Sequence, residues 1–228
     1  MTEQHVVTLP RATAKRIPLY YRYLCMYRAE GVTRIKSHEL SKSIHIPAAT
    51  IRRDFSCFGE LGKSGYGYDV SHLIDTFARM LRVDELHKIA LLGVGNLGRA
   101  LIQNNFRRND NLRITCGFDN QCPEIGTIIN GVPIYHMDQL AEKIREQGIT
   151  TAISTVPSVH AQEAVAQLTE AGVRSILNFA PARLKVPEGV HVKYIDLTSE
   201  IQTLMYFADA ENTQNNMEEA IATFAEPE

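Results

Sequence analysis

The stretch KIALLGVGNLGRAL (Lys88–Leu101) decides the fold of the second part of this 228-residue chain. An apolar run is followed by three glycines in the spacing G-x-G-x-x-G, and then by residues that favour a helix. In a strand–turn–helix unit of this kind, the first glycine permits a tight turn, the second lets the backbone approach a pyrophosphate, and the third allows close helix–strand packing. The spacing therefore predicts a dinucleotide-binding loop. Its residues are Gly93, Val94, Gly95, Asn96, Leu97 and Gly98.

From residue 88 onward, predicted strands and helices alternate, which is typical of a parallel α/β sheet. The predicted strands cover 88–92, 112–118, 150–155, 174–179 and 191–195, the helices cover 97–105, 138–147 and 159–171, and a short extra strand and turn fall within 126–136. We therefore expect a Rossmann-type domain over residues 87–196.

The end of the second predicted strand carries the residue that selects the cofactor. Asp119 follows Gly98 by 21 residues, and an acidic residue there accepts hydrogen bonds from the ribose hydroxyls and repels a 2′-phosphate. This pattern favours NAD(H) over NADP(H). Thr155, Val156 and Pro157 are expected at the same sheet edge, beside the nicotinamide. Two alternatives stay open: a glycine turn without a cofactor, and a nucleotide-type fold that binds coenzyme A.

Candidate catalytic groups are scarce. A dehydrogenase needs a general acid or base near the nicotinamide and a substrate pocket. His136 and His160 are the only histidines near plausible loop positions, and each is more typical of a surface or capping residue. Binding without turnover is the better fit, so we expect a protein that is not an enzyme. The alternative is an NAD-dependent oxidoreductase with an accessory basic domain.

The first third of the chain predicts a winged helix-turn-helix domain over residues 1–86. Helices are predicted over 13–30, from Ser37 as an N-cap, and from Pro47. Pro18 suits only a first turn, so the regular part of the first helix is expected to begin near residue 16 or 17. The segment GELGKSGYGYDV (59–70) has four glycines and predicts a tight hairpin, which a short helix over 71–86 follows.

The third predicted helix presents a surface suited to a DNA groove. At 100° per residue, Ala49, Arg52, Arg53 and Ser56 share one face, opposite the apolar side. Arginine can read guanine or hold a phosphate, and the narrow hairpin carries a cation at its tip. The predicted DNA-binding residues are Lys15, Arg16, Ala49, Thr50, Arg52, Arg53, Ser56, Phe58, Gly59, Lys63, Gly65 and Tyr66.

Charge and composition agree with two modules. Residues 1–82 hold 13 Lys and Arg against 7 Asp and Glu, whereas the remainder is acidic, so that the chain carries a net charge of −2. A basic segment of this kind suits a polyanionic partner. With no long apolar run and no signal peptide, we expect a cytoplasmic protein that does not enter a membrane. The four cysteines are scattered, which predicts reduced structural thiols and no metal site.

Six segments resemble the Rex family of bacterial NADH/NAD+-sensing transcriptional repressors. They are ATAKRIPLYYRYL, ATIRRDFSCFGELGKSGYGYDV, GVGNLGRAL, STVPSVHAQ, ILNFAPARL and YIDLTSEIQTLMYF, spread over residues 12–207. The resemblance implies a homodimer that binds an inverted-repeat operator in double-stranded DNA and leaves it when NADH replaces NAD+. It adds Asn178, Phe179, Ala180 and Pro181 to the cofactor-binding residues. It also implies that a helix over 197–208 is swapped between subunits, within a dimerisation segment and acidic tail over 197–228.

The resemblance also implies three switch residues. Arg16 and Asp196 match an arginine and an aspartate that the family pairs in its DNA-binding state, although Asp196 could instead cap the helix that follows it. Asn104 stands where the family commonly has a tyrosine that takes part in the NADH-dependent switch. An amide cannot supply the stacking surface of a phenol. We therefore expect this chain to respond to NADH less strongly than a tyrosine-bearing member.

Overall fold

A computed structural model describes residues 9–59, 61–63, 66–107 and 111–208, and of residues 62 and 63 only the backbone. The chain divides into two compact units between Glu85 and Leu86. The predicted wing residue Gly65 and the acidic tail beyond residue 208 lie outside the described residues.

The first unit consists of helices joined to a small sheet. In chain order its elements are α1 (Arg11–Ala29), β1 (Arg34–Ile35), α2 (Ser37–Ile44), α3 (Ala48–Ser56), β2 (Gly62–Lys63), β3 (Gly67–Asp69) and α4 (Val70–Leu81). Strands β2 and β3 form the predicted hairpin, and the two-residue strand β1, which the sequence did not predict, pairs antiparallel with β3. This is the winged helix-turn-helix architecture.

Aromatic side chains hold the helices of this unit together. The ring centroid of Phe55 on α3 lies 5.2 Å from that of Tyr20 on α1 and 5.6 Å from that of Phe77 on α4. All three residues are buried. Edge-on and tilted ring contacts of this kind add to the stabilisation that burial itself gives. They fix the position of α3, whose outer face was predicted to contact DNA.

Three helix starts differ from the sequence prediction, and in α3 the difference is a single residue, because Pro47 is the N-cap and Ala48 is the first helical residue. Helix α1 begins at Arg11 and runs through Pro18, so the expectation that Pro18 lies in the first turn is wrong. An internal proline costs about 3 kcal/mol. Burial of large apolar side chains on α1, each contributing roughly 1.5–3 kcal/mol, outweighs that cost. In α2, Ser37 is the first helical residue rather than the N-cap, because the Glu39 carboxylate accepts a hydrogen bond from the Lys36 amide at 2.6 Å.

The second unit is a seven-stranded sheet flanked by helices. Its elements are β4 (His87–Leu92), α5 (Asn96–Asn104), β5 (Leu112–Asp119), β6 (Ile128–Ile129), β7 (Val132–His136), a 3-10 turn (Met137–Gln139), α6 (Leu140–Gln147), β8 (Thr151–Ser154), α7 (Ser158–Glu170), β9 (Ser175–Asn178) and β10 (His191–Tyr194). A final helix, α8, spans 197–208. The strand order is β10-β9-β8-β4-β5-β7-β6, and only β6 runs antiparallel to its neighbour.

Strand β4 occupies the centre of this sheet. Ala90 and Leu92 face one apolar core, and Ile89 and Leu91 face the other. The chain continues to β5 on one side of β4 and later returns to β8 on its other side. Such a reversal of strand order opens a crevice at the carboxyl ends of the strands, where open α/β sheets bind ligands. The glycine loop that follows β4 lies at this point.

Replacing Pro18 with alanine is expected to stabilise the first unit. The missing amide would regain its bond to the carbonyl of Ala14, and an alanine suits a helix interior far better than a proline. We expect the free energy of unfolding to rise by about 1–3 kcal/mol in urea. Pro123→Ala is the control, because Pro123 lies in a turn, where alanine only loosens the unfolded chain. A destabilised Pro18→Ala variant would contradict this account of α1.

Candidate dinucleotide site and nucleic-acid interface

The glycine loop brings strand and helix unusually close. Gly93 adopts a φ of +86°, a conformation that side chains rarely tolerate. A Cβ atom on Gly98 would lie 2.0 Å from the carbonyl oxygen of Gly93, and a Cβ on Gly93 would lie 3.0 Å from the backbone nitrogen of Val156. Gly95 has no neighbour within 4 Å of such a Cβ. The first and third glycines therefore shape the loop itself, whereas the second keeps its outer side open.

Side chains from neighbouring elements brace this loop. The hydroxyl of Thr155 lies 2.7 Å from the carbonyl oxygen of Gly93 and donates a hydrogen bond to it. The guanidinium of Arg99 donates from Nε to the carbonyl of Val94 at 3.0 Å, and its Nη1 lies 2.8 Å from a carboxylate oxygen of Glu124. Sequence reasoning missed Arg99 and Glu124, because neither belongs to the glycine motif. These contacts connect the loop to α5, to β8 and to the segment that follows β5.

Asp119, at the end of β5, is anchored by backbone amides. One carboxylate oxygen accepts from the Val94 amide at 2.7 Å, and the other accepts from the amides of Gln121 and Cys122 at 2.8 and 3.0 Å. Burial alone would raise the pKa of Asp119, but these amide donors outweigh it and hold the pKa below its ordinary value. The carboxylate is therefore negative at neutral pH.

A cavity of about 440 Å³ opens beside the glycine loop. It is lined by Gly93, Gly95, Phe118, Asp119, Asn120, Gln121, Met137, Thr155, Val156, Pro157, His160, Glu163, Ala164 and Gln167. Six residues predicted for the cofactor are among them, namely Gly93, Gly95, Asp119, Thr155, Val156 and Pro157. Asn96 and Leu97 open α5, whose first amides have no acceptors within the helix. The site thus combines open amides, the acidic side chains of Asp119 and Glu163, and an apolar wall.

The other predicted cofactor residues follow β9 at the same edge of the sheet. Asn178 is buried, and its side-chain amide donates to the carbonyl of Ala180 at 2.9 Å, which fixes the turn through Phe179 and Pro181. These four residues do not line the cavity beside the glycine loop. A second cavity of about 440 Å³ lies at the amino end of β5, around Arg113. Since α/β sheets bind ligands at the carboxyl ends of their strands, the first cavity is the better candidate.

The geometry offers little for chemistry on a bound substrate. His160 lines the cavity, whereas the Nδ1 atom of His136 lies 3.0 Å from a carboxylate oxygen of Asp138. Within the described residues, no three His, Cys, Asp or Glu side chains are grouped to hold a metal ion. Burial raises the pKa of the Cys116 thiol to about 12, which makes it a poor nucleophile.

In the part of the chain that the structure describes, no helix combines the length and apolar character needed to cross a membrane.

The outer face of α3 has the predicted composition. Ala49, Arg52, Arg53 and Ser56 are exposed. Arg52 donates to the hydroxyl of Ser37 at 3.2 Å, and the Ser56 hydroxyl donates to the carbonyl of Arg53 at 2.7 Å, so this serine offers only its acceptor side outward. Two guanidinium groups therefore stand on an exposed helix face.

Two of the predicted interface residues are less exposed. Thr50 is half-buried. Phe58 is also half-buried, and its ring packs against Phe77 with centroids 5.4 Å apart. The contribution of Phe58 is therefore to the core beneath α3.

The wing presents a stacked cation. The guanidinium of Arg34 on β1 lies 4.6 Å from the ring centroid of Tyr66, whose side chain is 68% exposed. Gly59 adopts a φ of +85° where the chain leaves α3 for the hairpin. The sequence did not single out Arg34, because the strand that carries it is only two residues long. Lys15 on α1 is exposed as well.

A buried carboxylate connects α1 to α3, and sequence reasoning missed it. Asp54 accepts hydrogen bonds from the Thr13 hydroxyl at 2.8 Å, from Arg16 Nε and Nη2 at 2.6 and 2.7 Å, and from the Tyr20 hydroxyl at 2.6 Å. Burial would raise the pKa of Asp54, but donation from Arg16, Tyr20 and Thr13 lowers it below the ordinary value. The signal in the sequence was that Asp54 lies three residues after Ile51 and next to Phe55, on the apolar side of the helix.

Two of the three predicted switch residues have side-chain partners within the chain. Arg16 pairs with Asp54, and Asp196 caps α8 by accepting from the Ser199 hydroxyl at 2.7 Å and the Thr198 amide at 3.0 Å. The capping interpretation of Asp196 therefore describes this chain. Asn104 is exposed at the last position of α5, at the opposite end of the helix from the glycine loop.

Helix α8 exposes its apolar residues. Leu197, Ile201, Leu204, Met205, Tyr206 and Phe207 are each more than half exposed. An apolar face of this size is typical of a surface that packs against another chain.

A winged helix with exposed arginines, joined to an α/β unit with a glycine-loop ligand site, defines a ligand-responsive DNA-binding regulator. The comparisons agree with this class. Residues 8–56 match a family model described as "Putative DNA-binding protein N-terminus", and residues 84–182 match "CoA binding domain".

Curated relatives cover nearly the whole chain. The redox-sensing transcriptional repressor Rex of Latilactobacillus sakei is 60% identical over 88% of this chain and 97% of its own. Rex 2 of Enterococcus faecalis is 56% identical over 91% of this chain and 97% of its own. A solved structure of RSP, a Rex-family repressor, has a TM-score of 0.82 at 29% identity and covers 92% of this chain and 98% of its own. The chain belongs to the Rex family of redox-sensing transcriptional repressors, which are regulators rather than enzymes.

Adding one methyl group to each of two loop glycines should have very different effects on the free energy of unfolding. Gly98→Ala places Cβ against the Gly93 carbonyl and should lower the free energy of unfolding by at least about 2 kcal/mol. Gly95→Ala places Cβ in open space at an ordinary φ of −75° and should change it by less than about 0.5 kcal/mol. Urea unfolding of both variants measures this difference. Equal destabilisation would contradict the loop geometry described above.

Proposed function

We propose that this chain is a repressor that senses the NADH/NAD+ ratio, binding inverted-repeat operator DNA as a homodimer and leaving it when NADH binds. The observation that carries the proposal is the glycine loop with its ionised Asp119 in one unit, together with the exposed arginine face of α3 in the other. Three functional segments follow: DNA binding over 1–86, dinucleotide binding over 87–196, and dimerisation over 197–228. As a DNA-binding regulator of a bacterial family, it acts in the cytoplasm.

The dinucleotide lies along the carboxyl edge of the sheet. Its pyrophosphate meets the first amides of α5, close to Gly95, where no side chain intervenes. Asp119 accepts from the adenine ribose, and the segments 155–157 and 178–181 hold the nicotinamide half. A relative supports this assignment. RSP, which is 28% identical to this chain and superposes on it with a TM-score of 0.81, has a crystal structure in complex with beta-NADH. Coenzyme A fits less well, because its ribose phosphate would lie beside the same carboxylate.

The DNA site consists of the outer face of α3, the wing and the start of α1. A second crystal structure of RSP contains beta-NAD+ and operator DNA. Its chain is 30% identical to this one, with a TM-score of 0.81. In this proposal Arg52 and Arg53 read bases or hold phosphates in the major groove, while Lys63, Gly65 and Tyr66 of the wing contact the adjacent backbone. Lys15 and Arg16 bind flanking phosphates. The two-fold repeat of the operator mirrors a dimer held by the exposed face of α8.

The redox response depends on which dimer shape each form of the cofactor favours. NADH favours a closed dimer whose two recognition helices no longer match the operator spacing. Arg16 and Asp196 pair across the open dimer, which requires Arg16 to use donors beyond those that Asp54 occupies, or to exchange one anion for the other. Asn104 takes the tyrosine's place in this switch and weakens it.

The direct test is operator binding measured by fluorescence anisotropy with an inverted-repeat duplex. Adding NADH should release the DNA, whereas NAD+, NADPH and coenzyme A at the same concentration should not. Gly95→Ala is the control that should not bind the dinucleotide, because its methyl group blocks the pyrophosphate. This variant should bind the duplex with wild-type affinity, and NADH should not release it. Arg53→Ala is the opposite control and should lose the duplex but keep NADH affinity. Release by coenzyme A alone would overturn the choice of ligand.

Replacing Asp119 with asparagine should relax the cofactor preference. The amide retains one acceptor for the loop but loses the charge that repels a 2′-phosphate. We expect the ratio of the NADPH and NADH dissociation constants to fall at least about tenfold, measured by titration calorimetry. Glu170→Gln, which removes an exposed charge from the end of α7, is the control. An unchanged ratio in Asp119→Asn would refute the assignment of this residue to the ribose.

A further inference from the structure

We propose that Arg99 is a positioning residue of the dinucleotide site: it holds the Val94–Gly95 peptide so that the Gly95 amide faces the pyrophosphate, and Glu124 in turn holds Arg99. This inference rests on the proposed dinucleotide binding and goes beyond it, because neither Arg99 nor Glu124 lines the cavity beside the glycine loop. Both side chains act on the ligand only through the backbone of the loop.

Arg99 binds two consecutive carbonyl groups of the loop. Its backbone amide donates to the carbonyl of Gly95 at 2.9 Å, and its side-chain Nε donates to the carbonyl of Val94 at 3.0 Å. Among the described residues no peptide bond is cis, so the carbonyl of Val94 and the amide of Gly95 point in opposite directions from one planar unit. Since the carbonyl is turned toward Arg99, the Gly95 amide is turned away from it. Gly95 lines the cavity, and within the described part of the chain its amide has no acceptor.

This peptide needs a restraint from outside because residue 95 is a glycine. A Cβ atom on Gly95 would meet nothing within 4 Å, and glycine tolerates a wide range of backbone angles. Little at residue 95 itself therefore prevents the Val94–Gly95 plane from turning over. Such a rotation would bring the carbonyl oxygen of Val94 to the place of the Gly95 amide, and an oxygen there repels a phosphate that the amide would bind. The hydrogen bond from Arg99 opposes that rotation.

Glu124 fixes the position of the Arg99 guanidinium. Arg99 Nη1 lies 2.8 Å from Oε1 of Glu124, and the two side chains are 43% and 23% exposed, so the pair is partly shielded from water. The main chain of Glu124 is itself restrained, because the amide and the hydroxyl of Thr127 both donate to its carbonyl, at 2.9 and 2.7 Å. A guanidinium is planar and rigid, so fixing Nη1 also fixes the direction in which Nε donates. The turn that carries Glu124 thus orients the peptide of the glycine loop.

The charge of Glu124 gives this proposal a sign that electrostatics alone does not share. The pyrophosphate of NADH is negative, so a carboxylate near the loop disfavours the ligand if it acts by charge alone, and its removal should then tighten NADH binding. If Glu124 acts by holding Arg99, its removal should weaken NADH binding even though the site becomes less negative.

The experiment measures NADH binding by titration calorimetry to the full-length wild type, Arg99→Met, Glu124→Ala and the double variant. We expect each single variant to raise the NADH dissociation constant about tenfold, the effect of misplacing one hydrogen bond to a charged group. The double variant should bind no more weakly than Arg99→Met, because Glu124 acts only through Arg99. Tighter or unchanged NADH binding by Glu124→Ala overturns the proposal.

Arg99→Lys separates position from charge. Lysine keeps the positive charge, but it cannot hold the Val94 carbonyl and the Glu124 carboxylate in one planar fork. This variant should bind NADH as weakly as Arg99→Met, and wild-type affinity would overturn the proposal. If Arg99→Met does not fold, Arg99→Lys and Glu124→Ala decide the question.

Two matched controls remove the same charges elsewhere in the second unit. Arg113→Met removes an exposed cation from the amino end of β5, and Glu170→Ala removes an exposed carboxylate from the end of α7. Both should bind NADH with wild-type affinity, and shifts equal to those of Arg99→Met and Glu124→Ala would overturn the proposal. A wild-type chain that does not bind NADH would contradict the proposed function itself, whereas wild-type binding beside unaffected variants would contradict only this inference.

Discussion

The second unit depends on one close approach between two backbone segments, the start of α5 and the carbonyl of Gly93. Only a hydrogen at position 98 fits there, since a Cβ would lie 2.0 Å from that oxygen. This approach sets the angle at which α5 leaves the sheet, and therefore where its first amides point. Thr155, Arg99 and Asp119 then fix the loop from three sides. The geometry of the ligand site is thus set by contacts within the chain.

The first unit has a comparable centre in the buried carboxylate of Asp54. A buried charge is tolerated only when its hydrogen bonds are satisfied, and here four donors satisfy it. The apolar core around Phe55 sets the distance between α1 and α3, and the carboxylate sets their registry. Close packing therefore positions the functional groups in both units, through backbone in the second unit and through side chains in the first, and polar contacts then fix their orientation.

Sequence patterns predicted what depends on local periodicity. The glycine spacing located the loop, the alternation of apolar runs located the parallel strands, and the helical face of 49, 52, 53 and 56 located the exposed cations. The sequence could not predict contacts between distant residues, such as Arg16 with Asp54 or Arg99 with Glu124. It also misplaced the start of α1, because a local rule about proline was outweighed by burial that only the assembled core reveals.

The central claim is that the dinucleotide is a signal to the DNA site, and linkage tests it most directly. If NADH weakens operator binding by some factor, operator DNA must weaken NADH binding by the same factor. Titration calorimetry of NADH into the protein, alone and saturated with an inverted-repeat duplex, measures that second factor independently. The account predicts a higher NADH dissociation constant in the presence of the duplex, by the factor found in the DNA-release assay. An NADH affinity that the duplex does not change would contradict it.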